Sequence, residues 1–364
     1  MDSTAANAAV VPAGTKWTFT ARRVTRQDVE GLLLDVSHAV SGDLVLGQIT
    51  SIGQHKKLQL AEGRYADAYP DDYVVLTCGD RYAQDQFEAI AELDREGADL
   101  VAGGGVIGSM RQAHGKMAAP TKVRPLGLLL DSRGEVINVA RYALPYRAAP
   151  ADMPVIAVVG VSMNAGKTTA TASLAHGLKR AGHAVAAIKI TGTGAFGDFN
   201  AYLDAGIPVV ADFTDAGMAS TYRQPIDRIE RAFDTLLGHA REQGAEVAVV
   251  ELADGICQAE TTQLLRDSTV RDRLDGVLFA ARDSMGATGG VAILRQMGLE
   301  PFAISGLVSC SPLASVEARA LTHVPVVSRD ELQNPDVLAE LVRPFMAPFP
   351  TLDNDLSAEV KTAA

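Results

Sequence analysis

One stretch limits the possible folds of this chain more than any other: VIAVVGVSMNAGKTTATASLAHGLKRAG, Val155 to Gly182. An unbroken apolar run leads into Gly160, a short loop follows, and Gly166-Lys167-Thr168-Thr169 opens a helical pattern. A strand that is apolar on both faces belongs inside a parallel sheet covered by helices. The order strand, loop, helix also carries chemistry. The first N–H groups of a helix have no partners within it. Together with the loop amides at Ser162, Asn164, Ala165 and Gly166, those of Lys167, Thr168 and Thr169 can point at phosphate oxygens. Lys167 can reach the β and γ oxygens, and the Thr168 hydroxyl can ligate Mg2+. Five residues, Val161 to Ala165, separate the two glycines, one more than the standard pattern has. The alternative, a plain glycine turn before an ordinary helix, is disfavoured by the order of the parts.

The same rhythm continues downstream. Apolar strands (VAAIKI, IPVVADF, VAVVEL, GVLFAA, FAISGLVS) alternate with helical stretches such as IERAFDTLLGHAREQ. This predicts an α/β domain over 154–348, its parallel sheet covered by helices. Residues 16–147 read as a smaller, mainly β (α+β) domain, because TKWTFTARRV, GDLVLGQITSI and DDYVVLTCG have strand character. Within it, AQDQFEAIAELDREG is expected to be an amphipathic helix on the spacing of Phe87, Ile90, Ala91 and Leu93. A hairpin is expected around Asp131-Ser132-Arg133-Gly134. The run PYRAAPADMP holds three prolines and marks a linker over 148–153. Residues 1–15 read as a disordered start and 349–364 as a loose tail.

Composition narrows the function. The chain has 33 basic and 44 acidic side chains and a net charge of −11, which argues against a nucleic-acid-coating role. Three cysteines without a CxxC pair fit a reducing, cytoplasmic setting. No apolar run reaches the roughly 18 residues of a membrane span, and the start has no basic n-region, so neither a membrane segment nor a signal peptide is expected. The histidines form no HxxxH or HxH pair, so no histidine metal site is expected.

A Mg2+ on a loop threonine calls for a carboxylate at a neighbouring strand end. Asp212 after IPVVA and Glu251 after VAVV are the candidates, a helix cap or surface acid being the alternative for each. Asp198, Asp215 and Asp254 are weaker, since polar turns carry acids anyway. Lys189 closes the strand VAAI and needs an anionic partner. Phosphate or a substrate carboxylate would serve, and so would a salt bridge to Glu251 or Asp212. Gly103-Gly104-Gly105 permits a close backbone approach to a ligand, but reads more readily as a bulge or tight turn. The cluster His55-Lys56-Lys57 and the span Arg111 to Lys122 read as a solvated face or a greeting for an anion. A guanine-reading Asn-Lys-x-Asp is missing where VLFAA meets Arg282-Asp283-Ser284, which favours ATP over GTP.

The five-residue loop resembles that of dethiobiotin synthetase and its relatives, a branch of the P-loop NTPases. Lys189-Ile190-Thr191-Gly192, Glu251-Leu252-Ala253-Asp254-Gly255 and GLEPFAISGLVSCSPLA resemble further stretches of that branch, in the same order. The resemblance implies that Lys189 approaches the phosphates and the substrate, that the last stretch leads to the adenine pocket, and that the protein is a homodimer. The loop departs from the family in Ser162 and Asn164, where acidic residues are usual, and Ser309-Cys310 stands in place of the base-side asparagine. The stretch TGTGAFGDFNAYLDAGIPVVADFTDAG is similar to a P-loop family that includes a D-glutamate N-acyltransferase. These likenesses cover about 190 residues.

Three functions are therefore carried forward. The first is an ATP- and Mg2+-dependent ligase or kinase acting on a small carboxylate or amine metabolite, with Lys167, Lys189 and Glu251 as its catalytic residues. The second is an N-acyltransferase that uses acyl-CoA on an amino acid. The third is a nucleotide-switch NTPase that acts on a protein partner.

Overall fold

The computed structural model describes residues 10–266 and 268–346. The expected disordered start, up to residue 9, and the tail over 349–364 lie outside the described residues. The first region is built of strands β1 (Lys16–Trp17), β2 (Gly31–Leu33), β3 (Leu44–Ser51), β4 (Lys57–Gln59), β5 (Tyr65–Asp67), β6 (Tyr73–Cys78), β7 (Phe87–Ile90), β8 (Ala98–Ala102), β9 (Val106–Ala113) and β10 (Thr121–Leu130). Strands β6, β3, β10, β8 and β9 pair in turn, and β9 pairs back onto β6. The sheet therefore closes into a five-stranded ring, which removes the free edges an open sheet would leave. Val45, Ile49, Val74, Leu76, Leu100, Ile107, Val123 and Leu128 pack together in its core.

The segment expected as a helix is the strand β7, paired with β9. Phe87 and Ala89 are fully buried there, with Leu93 buried further along. Phe87, Ala89, Ala91 and Leu93 also satisfy a period of two, and the available partner strand decided between the two periods. The helical pieces described in this region are 3-10 turns, at Phe19–Ala21, Arg26–Asp28 and Val139–Tyr142. TKWTFTARRV is a strand only at Lys16–Trp17 before it enters the first of these turns. The expected reversal after β10 is present: Gly134 N–H donates to the Asp131 carbonyl, and Leu130 pairs with Val136.

The second region is a six-stranded parallel sheet. Its strands are β11 (Val155–Gly160), β12 (Val185–Lys189), β13 (Val209–Asp212), β14 (Val247–Glu251), β15 (Gly276–Ala280) and β16 (Ala303–Ser305), in the order β13-β12-β14-β11-β15-β16. Helices α1 (Lys167–Arg180), α2 (Phe196–Asp204), α3 (Ile226–Glu242), α4 (Ala259–Arg266), α5 (Thr269–Asp272), α6 (Ser284–Gln296), α7 (Pro312–Thr322), α8 (Arg329–Leu332) and α9 (Pro335–Val342) cover it. Alternate residues of β11 face opposite layers. Val155, Ala157 and Val159 meet α3, α4 and α6, whereas Ile156 and Val158 meet α1, α8 and α9. This doubly covered sheet is the α/β architecture that the apolar strands called for. Among the described residues no helix is long and apolar enough to cross a membrane.

The ring lies against the carboxyl side of the parallel sheet. Arg22 reaches Asp212 at 3.1 Å and Asp215 at 2.7 Å. The Gln59 side chain accepts from the Phe196 N–H at 2.6 Å, and the Phe19 ring meets the edges of Phe196 and Phe199. The Tyr222 hydroxyl donates to Glu88 at 2.9 Å. Gly104, in the turn between β8 and β9, sits so close to Gly194 that a Cβ there would come within 2.0 Å of the Gly194 carbonyl oxygen.

Candidate functional site

Helix α1 starts where the loop after β11 ends. Its N-cap is Gly166, left-handed at φ 97, with no side chain to cap the first turn. The opening N–H groups of the helix thus keep their donors for an anion. Glycine is required at this point, because a Cβ would meet the Gly306 Cα at 2.9 Å. Lys167 folds back along the loop. Its Nζ donates to the Ser162 carbonyl at 2.8 Å and to the Asp254 carbonyl. Gly160 lies under that side chain, where a Cβ would press on Lys167 Cγ at 2.8 Å. Lys167 is only 6% exposed, and burial lowers its pKa against the opposing pull of Glu251 and Asp254.

Beside the loop lies a linked set of charges. The Thr168 hydroxyl donates to Asp198 Oδ1 at 2.6 Å, and Lys189 pairs with the other oxygen of Asp198. Lys189 Nζ also stands 3.5 Å from Glu251 Oε1, and the Tyr202 hydroxyl donates to Glu251 Oε2. Burial works against the Lys189 charge, but Asp198 and Glu251 outweigh it and raise its pKa. Burial likewise opposes the Asp198 carboxylate, and Lys189 with the Thr168 hydroxyl holds its pKa below the usual value. Lys189 therefore has salt-bridge partners, Glu251 among them, as one of the sequence alternatives allowed. Asp198 and Tyr202 are four residues apart on α2, so both project from one helix face toward β12 and β14.

Asp212 does not join this set. The sheet order places β13 at the edge, with β12 and β14 between it and β11. Its carboxylate accepts from Thr214 N–H at 2.7 Å and pairs with Arg22. Asp198 is the carboxylate that the structure puts beside Thr168 in its stead. Of the other loop residues, Asn164 donates to Asp85 of the ring at 2.7 Å, the Ser162 hydroxyl turns to the Met163 carbonyl, and Ala165 is fully buried.

These side chains surround a cavity of about 390 Å3 lined by Asn164, Gly166, Lys167, Thr168, Thr169, Lys189, Asp198, Glu251 and Asp254 among others. On one side it shares Gly166, Thr169 and Leu307 with a cavity of about 350 Å3 at the end of β16, bounded by Ser305, Ser309, Cys310 and Asp330. On the other side it shares Met163, Lys189, Asp198 and Asp254 with a cavity of about 510 Å3 between the sheet and the ring. The middle cavity thus has Lys167 and a helix N-terminus at the carboxyl ends of β11 and β14, where open α/β sheets take ligands. The fold is of the P-loop NTPase type.

No protein-family profile and no curated protein matches the chain. A solved structure, the signal recognition particle receptor FtsY from Elizabethkingia anophelis, is similar at 21% identity and a TM-score of 0.37, over 59% of this chain and 76% of that one.

The P-loop suits a nucleotide with Mg2+. The Thr168 hydroxyl and the Asp198 and Glu251 carboxylates are hard oxygen donors lining one cavity. Among the described residues no group of three or more His, Cys, Asp or Glu side chains forms a metal cage. A cation there would rest on the hydroxyl, the carboxylate side and the phosphate oxygens, as Mg2+ ordinarily does. The sequence reading passed over Tyr202 and ranked Asp198 low, because it placed Asp198 in a polar turn and not on a helix. The spacing of Asp198 and Tyr202 was the available signal. It also gave no role to Arg81, which lines the outer cavity.

Proposed function

We propose that the protein is an ATP- and Mg2+-dependent ligase or kinase that transfers a phosphoryl group to a small carboxylate or amine metabolite. The observation that carries this reading is the line of three cavities with shared walls, the phosphate site in the middle. The cavity beside β16 is placed to take the base, and the one under the ring to take the metabolite. The loop spacing that resembles dethiobiotin synthetases supports the same assignment. ATP is preferred to GTP because the Asn-Lys-x-Asp signature is missing, as Arg282-Asp283-Ser284 stands at that strand end.

In this reading the helix N-terminus and Lys167 hold the β and γ phosphates, and Mg2+, when bound, neutralises charge between them. An oxygen of the metabolite attacks the γ phosphorus in line, the bond to the bridging oxygen breaks, and ADP leaves. Lys189 lines both the phosphate cavity and the metabolite cavity, so its ammonium faces the charge developing on the transferred group. Where the acceptor is a carboxylate, the product is an acyl phosphate; an amine of the same or a second molecule can attack its carbonyl carbon, the C–O bond to the phosphate breaks, and inorganic phosphate leaves as the amide forms and the amine gives up its proton to solvent.

The test is a thermal-shift series with ATP, GTP, ADP and acetyl-CoA, with and without Mg2+, followed by a metabolite screen for ADP release. Mg2+-dependent stabilisation by ATP, lost in Lys167→Ala, is the expected result, since a ligand bound only to the folded state raises the melting point. Stabilisation by acetyl-CoA without any by ATP would replace this reading with acyl transfer.

A further inference from the structure

We infer that Arg81 is the docking residue for a carboxylate of the metabolite, held in the cavity between the ring and the parallel sheet. The inference deepens the phosphoryl-transfer reading by naming the substrate class of the outer cavity, and rests on that reading only for what happens to the metabolite afterwards.

Arg81 is 6% exposed and lines the cavity. A guanidinium buried to that degree ordinarily has a carboxylate against it, because an unpaired buried charge is costly. Arg81 has none within pairing distance: among the described residues it forms no salt bridge, and Asp254, whose carboxylate attracts it, stands too far off to pair. Its side-chain hydrogen-bond partners are two neutral acceptors. One is the Gln86 amide oxygen at 2.7 Å and the other the His55 ring at 3.4 Å. Its Nε is buried without a hydrogen-bond partner.

The neighbours keep it that way. His55 Nδ1 lies 3.0 Å from the Leu100 carbonyl, so the neutral ring donates there and offers Nε2 to Arg81. Burial and the Arg81 charge push the His55 pKa down to about 4, so the histidine stays uncharged at neutral pH. The backbone of Arg81 is fixed by a reciprocal pair of hydrogen bonds with Ala89, both 2.9 Å. The guanidinium is therefore positioned before any ligand arrives, with spare N–H groups and a charge offset only from a distance, by Asp254.

The cavity's charge balance sets the ligand class. Arg81, Lys56, Lys57 and Lys189 line it against Asp198 and Asp254. Lys189 is already balanced by Asp198 and Glu251. What remains is Arg81, Lys56 and Lys57 against Asp254, a net positive outer wall made by the ring, facing the phosphate site across the cavity. A volume of about 510 Å3 fits a small metabolite. A carboxylate matches the planar fork of arginine. With that carboxylate on Arg81, the far end of the molecule is turned toward Lys189 and the γ-phosphate position.

The experiment is calorimetry on the full chain with the straight dicarboxylates from oxalate to pimelate, with putrescine and cadaverine as cationic controls. Each titration is made with and without Mg2+ and the ATP analogue AMP-PNP. At least one dicarboxylate is expected to bind and neither diamine. Arg81→Gln should weaken that binding about tenfold or more, the size of one charge-assisted hydrogen bond, and Arg81→Lys less. Binding of a diamine, or of no dicarboxylate in either condition, overturns the inference, and so does wild-type affinity in a folded Arg81→Gln. Should that variant not fold, Arg81→Lys takes its place, and wild-type affinity in the folded Arg81→Lys, which lacks the planar fork, overturns the inference equally. Carboxylate binding through Arg81 without any ATP binding would sink the phosphoryl-transfer reading and leave this one standing. ATP binding without carboxylate binding would do the reverse.

Discussion

His55 is a histidine kept neutral by its surroundings, and that has a cost in acid. Its folded pKa of about 4 lies below the ordinary 6.5 because burial and Arg81 disfavour the charged ring. Above pH 6.5 both folded and unfolded chains carry it neutral. As pH falls through 6.5 toward 4 the unfolded chain takes up a proton that the folded chain refuses, so stability declines, by at most about 1.4 kcal/mol per pH unit. Urea unfolding at pH 7 and pH 5 should show a larger loss in the wild type than in His55→Gln. Equal losses would mean the ring titrates normally. At this scale the sequence announced Lys167 and Thr168 by motif, and marked Lys189 and Glu251 by their place at strand ends. It could not announce Arg81, since an arginine beside polar residues looks like any surface arginine until the other wall of its cavity is known. The predicted Mg2+ carboxylate Asp212 shows the converse. Its place at a strand end was read correctly, but which strand adjoins β11 is a property of sheet order.

Helix α1 carries the phosphate loop and must also pack tightly along its length. Gly177 sits in its interior, where glycine is ordinarily unfavourable by about 1 kcal/mol against alanine. Here the contact decides. A Cβ at Gly177 would lie 2.1 Å from the Leu332 carbonyl oxygen and 2.4 Å from Leu338 Cδ1. Backbone of α8 cannot yield as a side-chain tip could, so Gly177→Ala should destabilise by about 1–3 kcal/mol despite the helix preference. A chemical-denaturation midpoint unchanged or raised would show that α8 moves freely. Elements with one dominant period were legible in advance, as β11, β12, β14 and α3 show. The error over residues 83–97 arose where two periods fitted the same apolar residues and only the neighbouring strand β9 could choose.

At the scale of the whole molecule, the ring and the parallel sheet meet with almost no slack at Gly104. Its neighbour across the gap is Gly194, in the TGTG turn between β12 and α2. Gly104→Ala should push the ring away and open the outer cavity while leaving the P-loop intact. The expected result is a metabolite KM raised several-fold with ATP affinity unchanged, measured once a substrate is in hand. Equal loss of both would mean that the ring supports the P-loop itself. The triple glycine was legible as a tight turn, but not that it would press against a second glycine turn about 90 residues away. The basic residues split in the same way: Lys56 and Lys57 line the cavity, whereas Arg111 pairs with Glu92 and Lys122 with Asp99.

The inner two cavities are walled entirely by residues after 160, whereas the outer one draws more than half its wall from residues before 104. On the proposed reading, choice of substrate and the chemistry done on it are thus written in separate lengths of the gene. A descendant could replace the leading segment, joined through the proline-rich run before β11, and acquire a new diet while keeping the same engine.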